Sequence, residues 1–244
     1  MRSSGRTRLY CLPYAGGSAP RIYSHWKRRL PAGIEVVPLE LPARGTRMRE
    51  RPLPRVEALV ADALRQVLPW PGESFALFGH SLGGILAFEL ARALEHRHGR
   101  PPCRLLVSGA RAPDLPRTPS LDFLLPDRQF RDRISALNGT PPQVLEDDEL
   151  MELFLPVLRA DFAAAAQWRY REDRPLSCPI TVFGGRADAD VPPASLTGWS
   201  RQTVADCEVE LLPGGHFFLD EVPGTLVPLV ADRLLPVGSA ARRP

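Results

Sequence analysis

The stretch Phe75–Ala91, FALFGHSLGGILAFELA, decides how this chain folds. Phe75–Phe78 is a short unbroken apolar run, the pattern of a strand buried on both faces. From Leu82 to Glu95, the apolar residues Leu82, Ile85, Leu86, Leu90 and Leu94 recur at helical spacing. Ser81 stands between the two, at the centre of a G-x-S-x-G pattern with Gly79 and Gly83. A loop serine needs no glycine on either side. A serine forced out of a sharp strand-to-helix bend does, because side chains two residues before and after it would collide. Such a bend exposes the hydroxyl and aims the N-terminus of the following helix at it, where negative charge is favoured. The Leu82 backbone N–H is then placed to receive an oxyanion.

Around this centre the chain alternates. Strands are expected at Arg8–Leu12, Glu35–Leu39, Leu105–Ser108, Ile180–Phe183 and Val209–Leu212, and helices at Ile22–Leu30, Val56–Leu68 and Leu226–Leu235. Short apolar strands alternating with helices predict an α/β fold, a mostly parallel sheet with helices on both faces. At 244 residues the chain fits one such domain, 1–244. Between Ala112 and Ser177 no strand reads. A Pro-rich loop, APDLPRTPSLDFLLP, is followed by helical signal in Asp127–Leu137 and Asp147–Trp168, the latter interrupted by Pro156, which should kink or split it. The expectation for 112–177 is a helical lid that shapes a substrate channel. Phe154, Leu158 and Phe162, at four-residue spacing, would face that channel, although core packing accounts for the spacing as well.

Composition narrows the class. The chain is 44% hydrophobic and 24% charged, with a formal charge of +3. Arg2, Arg6, Arg8, Arg242 and Arg243 at the two ends leave a near-neutral body, so nothing argues for nucleic acid. Lys27 is the sole lysine. Cys11, Cys103, Cys178 and Cys207 form no C-x-x-C pair and fall in or beside expected strands, as buried reduced thiols would. No signal peptide and no apolar run of membrane-spanning length is seen, so a soluble cytoplasmic protein is expected.

A serine hydroxyl needs a base. His25 suits a packing or surface role, His96 and His98 suit the end of a helix, and His80 should point away across the sheet. His216 follows a strand and a Pro-Gly-Gly turn, VELLPGGH, which can hold its ring over the C-terminal edge of the sheet. The base in turn needs a carboxylate to fix its tautomer. Asp188 in ITVFGGRADADV is the expected partner, with Asp190 the alternative. The chain order Ser81, Asp188, His216 is that of α/β-hydrolases. A second oxyanion donor is expected from the backbone N–H of Ala15 in the early loop LPYAGGS, with Tyr14 lining the site.

The pieces LPYAGGSA, LELPARGTR, FALFGHSLGGILAFELA, LPVLRADFAAAAQWRY, PITVFGGRADADV and LPGGHFFL, spread over residues 11 to 219, resemble the type II thioesterases. These are free-standing α/β-hydrolases that accompany polyketide synthases and nonribosomal peptide synthetases. The ELPARG and LRADF pieces are the more specific ones. The resemblance puts the family's nucleophile on Ser81, its acid on Asp188, its base on His216 and its oxyanion donors on Ala15 and Leu82. Tyr14, Leu82 and Ala189 stand where the family often has His, Met and Pro. The resemblance implies hydrolysis of acyl thioesters on the phosphopantetheine arm of a carrier protein, with no metal or nucleotide required. Carrier proteins are generally acidic, and the cluster Arg44, Arg47, Arg49, Arg51 and Arg55 could receive one. A carboxylesterase acting on free esters, or a silent α/β-hydrolase used as a binding protein, are the rival expectations.

Overall fold

A computed structural model describes residues 6–67, 74–118, 120–137, 139 and 142–235. Every residue of Phe75–His80 and of Ile180–Gly185 is buried, as strands covered on both faces must be. They belong to a six-stranded sheet built from β1 (Thr7–Leu12), β2 (Ile34–Pro38), β3 (Phe75–His80), β4 (Arg104–Ser108), β5 (Ile180–Gly185) and β6 (Cys207–Leu212). The order is β2-β1-β3-β4-β5-β6 and every pairing is parallel. The helices are α1 (Ala19–Ile22), α2 (Trp26–Arg29), α3 (Val56–Val67), α4 (Leu82–His98), α5 (Asp127–Ala136), α6 (Pro142–Leu145), α7 (Asp148–Gln167), α8 (Phe218–Glu221) and α9 (Pro223–Leu234).

Alternation along the strands splits the core in two. Tyr10, Leu12, Leu77, Leu105, Val107 and Val182 pack under α3, α4 and the end of α7. Leu9, Cys11, Ala76, Phe78, Leu106 and Phe183 pack under α1, α2, α8 and α9 on the opposite face. A third, smaller cluster joins Phe130 and Ile134 of α5 to Met151, Leu155 and Leu158 of α7.

The sheet grows in one direction from β1 to β2 and in the other from β3 onward. The C-terminal ends of β1 and β3, paired Leu12 to Gly79, therefore flank the point where open α/β sheets form a crevice. Ser81 follows β3 there, and the LPYAGGS loop follows β1.

All six expected strands are present: β2 is shifted by one residue from Glu35–Leu39, and the other five are one to two residues longer than read. Two expectations need correction, on Ile22–Leu30 and on the cysteines, and of the two outcomes open at Pro156 one is excluded. Ile22–Leu30 is not one helix but the four-residue α1 and α2, separated where the buried Tyr23 hydroxyl donates to the Leu12 carbonyl at 2.7 Å. Pro156 does not split its helix, since α7 runs unbroken for 20 residues. Pro156 and Glu152, whose carbonyl loses its usual donor, both lie on the exposed face, where water can serve. The cysteines are not uniformly buried: Cys11 and Cys178 are, Cys207 at the start of the edge strand β6 is half-buried, and Cys103 before β4 is exposed. Helices α6 and α8 had no sequence reading. Leu68, Arg2, Arg242 and Arg243 lie outside the described residues.

Candidate active site

Ser81 adopts φ 55°, ψ −116°, a backbone conformation costly for any residue but glycine. The bend is as tight as the two glycines require: a Cβ on Gly79 would strike the Gly83 carbonyl, and one on Gly83 would strike the Leu12 and Pro13 carbonyls. The conformation is held from both sides. The Ser81 N–H donates to the Ser108 carbonyl at the end of β4 at 2.8 Å, and the Gly84 N–H donates back to the Ser81 carbonyl at 2.9 Å.

The loops after β5 and β6 stay zipped together beyond the strands. Arg186 N–H donates to Leu212 O at 2.8 Å and Ala187 N–H to Gly214 O at 3.0 Å. Gly214 takes φ 108° and Gly185 packs directly on the Gly215 carbonyl, so this approach needs the glycines. The result sets Asp188 beside His216. His216 Nδ1 lies 2.7 Å from Asp188 Oδ2, and His216 Nε2 lies 3.0 Å from Ser81 Oγ. The other carboxylate oxygen, Asp188 Oδ1, accepts the N–H groups of Asp190 at 3.0 Å and Val191 at 2.9 Å. Burial pushes the Asp188 carboxyl up, but the hydrogen bond and charge of His216 and the two backbone donors outweigh it and hold it below the usual carboxylate range. An ionised carboxylate only accepts, so Nδ1 carries the imidazole proton and Nε2 presents its lone pair to the serine hydroxyl. Asp190 contributes its backbone to Asp188, and its side chain makes no hydrogen bond to His216 among the described residues.

Ala15 and Leu82 line the same cavity as Ser81 and His216. Neither of their backbone N–H groups has an acceptor among the described residues. The next amide, Gly16 N–H, is tied down: it donates to Asp161 Oδ2 of α7 at 2.7 Å. Asp161 in turn holds Arg44 in a bidentate pair, with Nη1 at 2.7 Å and Nη2 at 2.9 Å, and both side chains are buried. Glu40 accepts from Ser18 Oγ at 2.6 Å and Ala19 N–H at 3.1 Å on the far side of the same loop. The ELPARG and LRADF segments thus clamp the loop that carries Ala15. Sequence reasoning singled out both segments but gave Glu40 and Asp161 no role and Arg44 a place in a docking surface instead. The signal was two charged residues in otherwise apolar surroundings, and nothing along the chain showed that they pair.

Tyr14 lines the cavity, its hydroxyl donating to Asp220 Oδ2 at 3.4 Å. Leu158 and Phe162 line it as well, whereas Phe154 lines a neighbouring cavity of about 660 Å³ that contains neither Ser81 nor His216. His80 does lie on the face opposite α4, yet it is not remote from the site: its ring centroid is 5.2 Å from that of His216. It is fully buried, its Nδ1 is 2.9 Å from Ser108 Oγ, and burial first, then the neighbouring His216, lowers it to about 3. A ring so held stays neutral. His96 sits at the end of α4 with its Nδ1 3.1 Å from Asp173.

The arginine cluster after β2 needs correction. Arg44 is consumed by Asp161, and Arg47 by Asp62 and Glu50. Arg49 and Arg51 are exposed, and Arg55 lies 3.6 Å from Glu57.

The thioesterase domain family model matches residues 7–232. The gramicidin S biosynthesis protein GrsT of Aneurinibacillus migulanus is 40% identical over 234 residues, covering 96% of this chain and 91% of GrsT. Thioesterase PikA5 of Streptomyces venezuelae is 39% identical over 229 residues, covering 93% of this chain and 81% of PikA5. The solved structure of the type II thioesterase BorB from the borrelidin biosynthetic cluster superposes with a TM-score of 0.86 at 36% identity, covering 94% of this chain and 93% of BorB. With its parallel sheet, its strained serine turn and these relatives, the chain belongs to the thioesterase family, α/β-hydrolases that act on thioesters.

Proposed function

We propose that this protein releases acyl groups from the phosphopantetheine arm of acyl or peptidyl carrier proteins, clearing aberrant or stalled intermediates of polyketide or nonribosomal peptide synthesis. Ser81 Oγ attacks the thioester carbonyl while His216 Nε2 takes its proton, and Asp188 stabilises the imidazolium. The tetrahedral oxyanion lies between the amides of Ala15 and Leu82. Collapse breaks the C–S bond, the imidazolium returns its proton to the leaving thiolate, and an acyl ester remains on Ser81. Water, deprotonated by His216, attacks that ester and frees the carboxylic acid and the serine.

The observation that carries this reading is the unbroken chain Asp188–His216–Ser81, with links of 2.7 and 3.0 Å, beside two amides whose N–H groups have no acceptor among the described residues. The chain acts as one α/β-hydrolase unit in which residues 112–177 form a helical lid. Leu158 and Phe162 on the lid's long helix give the acyl chain its apolar wall. The partner is a cytoplasmic carrier protein, which places this protein in the cytoplasm. No helix among the described residues is long and apolar enough to cross a membrane.

The test is to load acyl groups of several lengths onto a carrier protein, add the enzyme and weigh the carrier. Loss of the acyl mass with the parent, and its retention with Ser81→Ala, is the expected result. A carrier that stays loaded while a nitrophenyl ester is cleaved would mark a general esterase instead. Cleavage of neither would mark a binding protein.

A further inference from the structure

Arg111 and Arg117, on the segment that leaves β4, both line the Ser81 cavity. Two of their guanidinium nitrogens, Arg111 Nε and Arg117 Nη1, are shut off from solvent and have no hydrogen-bond acceptor among the described residues. Neither arginine has a carboxylate partner there. Of the cavity's own carboxylates, Asp122 accepts from Arg133 at 2.9 Å, and Asp190 pairs with neither arginine. The Arg117 guanidinium lies 4.9 Å from the centroid of the Trp168 ring, which fixes its position. Burial, then the positive charges of Arg111 and Arg169, push Arg117 down to about 10.

Such an arrangement is unfavourable as it stands. Like charges face one another, and buried donors lack acceptors. An anion seated between them reverses both costs, and the planar fork of a guanidinium matches a phosphate or a carboxylate. Because the two arginines share a cavity with Ser81 and His216, an anion held there is part of the molecule being cleaved.

We propose that Arg111 and Arg117 form an anion subsite that binds a negatively charged oxygen group of the thioester substrate, either the phosphate of the pantetheine arm or a carboxylate on the acyl group. This rests on the thioesterase reading above. The subsite makes the enzyme prefer a thioester carrying such a group over a neutral one with the same reacting carbonyl.

Three small substrates separate the sources: butanoyl-N-acetylcysteamine, which is neutral; butanoyl-4′-phosphopantetheine, which adds the phosphate; and succinyl-N-acetylcysteamine, which adds a carboxylate. The readout is kcat/KM for each charged substrate divided by that for the neutral one. In Arg117→Gln one of these ratios should fall about tenfold, the low end of what a charge-assisted hydrogen bond contributes. It should fall further in Arg111→Gln/Arg117→Gln and recover in large part in Arg117→Lys. Loss confined to the phosphopantetheine substrate assigns the subsite to the arm, and loss confined to the succinyl substrate assigns it to the acyl group. Ratios equal to the parent's in all variants, with the neutral thioester still cleaved, would overturn the subsite and leave the thioesterase reading standing. A parent enzyme that cleaves none of the three would overturn both.

Discussion

Ser81 holds a strained backbone conformation, and the strain has a measurable consequence. Its φ of 55° and ψ of −116° suit glycine and cost an ordinary residue about 1–3 kcal/mol. Two variants that both lack the hydroxyl therefore differ in stability. Ser81→Gly should unfold at a higher temperature than Ser81→Ala, by the equivalent of about 1 kcal/mol or more, in a thermal melt of the two variants. Equal melting temperatures would mean that the turn relaxes without the serine. At this scale the sequence was most informative. Gly79 and Gly83 predicted the bend because only its geometry forbids side chains there. Asp188 and His216 followed from what a serine needs to become a nucleophile. The position of His80 was not legible. Strand alternation correctly put it on the face opposite α4, but did not show that the loop after β6 folds His216 over that same face.

At the scale of elements, the Arg44–Asp161 pair joins α7 to the loop after β2, through partners 117 residues apart, and Asp161 also holds the Gly16 N–H of the loop after β1. Removing one member leaves the other charge buried and unpaired, which costs about 3–5 kcal/mol. Asp161→Leu alone should lower the unfolding free energy by that amount in a denaturant titration. Arg44→Met/Asp161→Leu should lose clearly less than the sum of the two single changes, since replacing both charges removes the uncompensated one. Additive losses would show that the two side chains are not coupled. The long helices were legible from apolar spacing, and which of a kink or a split Pro156 would bring was not, because its exposed position is invisible in a one-dimensional pattern. The Ile22–Leu30 stretch misled for the opposite reason: the buried positions are correctly spaced, but a tertiary hydrogen bond from Tyr23 to Leu12 decides the backbone between them. The ARG and RADF segments show the same limit, because a buried ion pair is a property of two segments and neither predicts the other.

Across the whole molecule, the site occupies the crevice where the sheet reverses its direction of growth, and the acid sensitivity of the fold follows from what is buried beneath it. His80 titrates near 3 in the folded protein against 6.5 when free, because burial, then the nearby His216, disfavour its cation and Asp188 only partly offsets them. The unfolded chain therefore takes up the proton first. Between pH 6.5 and about 3, this one residue makes stability fall with pH by about 1.4 kcal/mol per unit. Asp188 acts in a lower window: its folded value lies below 3.8, so the stability it contributes is present above 3.8 and is lost as pH falls through the lower folded value. Unfolding free energies at pH 7 and pH 5 should thus differ by less in His80→Asn than in the parent. An unchanged difference would contradict the neutral buried ring.

The central claim is that Ser81 becomes the acyl carrier during turnover. Mixing the protein with an acyl thioester, quenching in acid within milliseconds and mapping the peptides by mass spectrometry tests it most directly. The account predicts an acyl mass increment on the peptide containing Ser81, formed before steady state and absent in Ser81→Ala. Turnover at the full rate with no increment on that peptide, or with the increment on another residue, would contradict it.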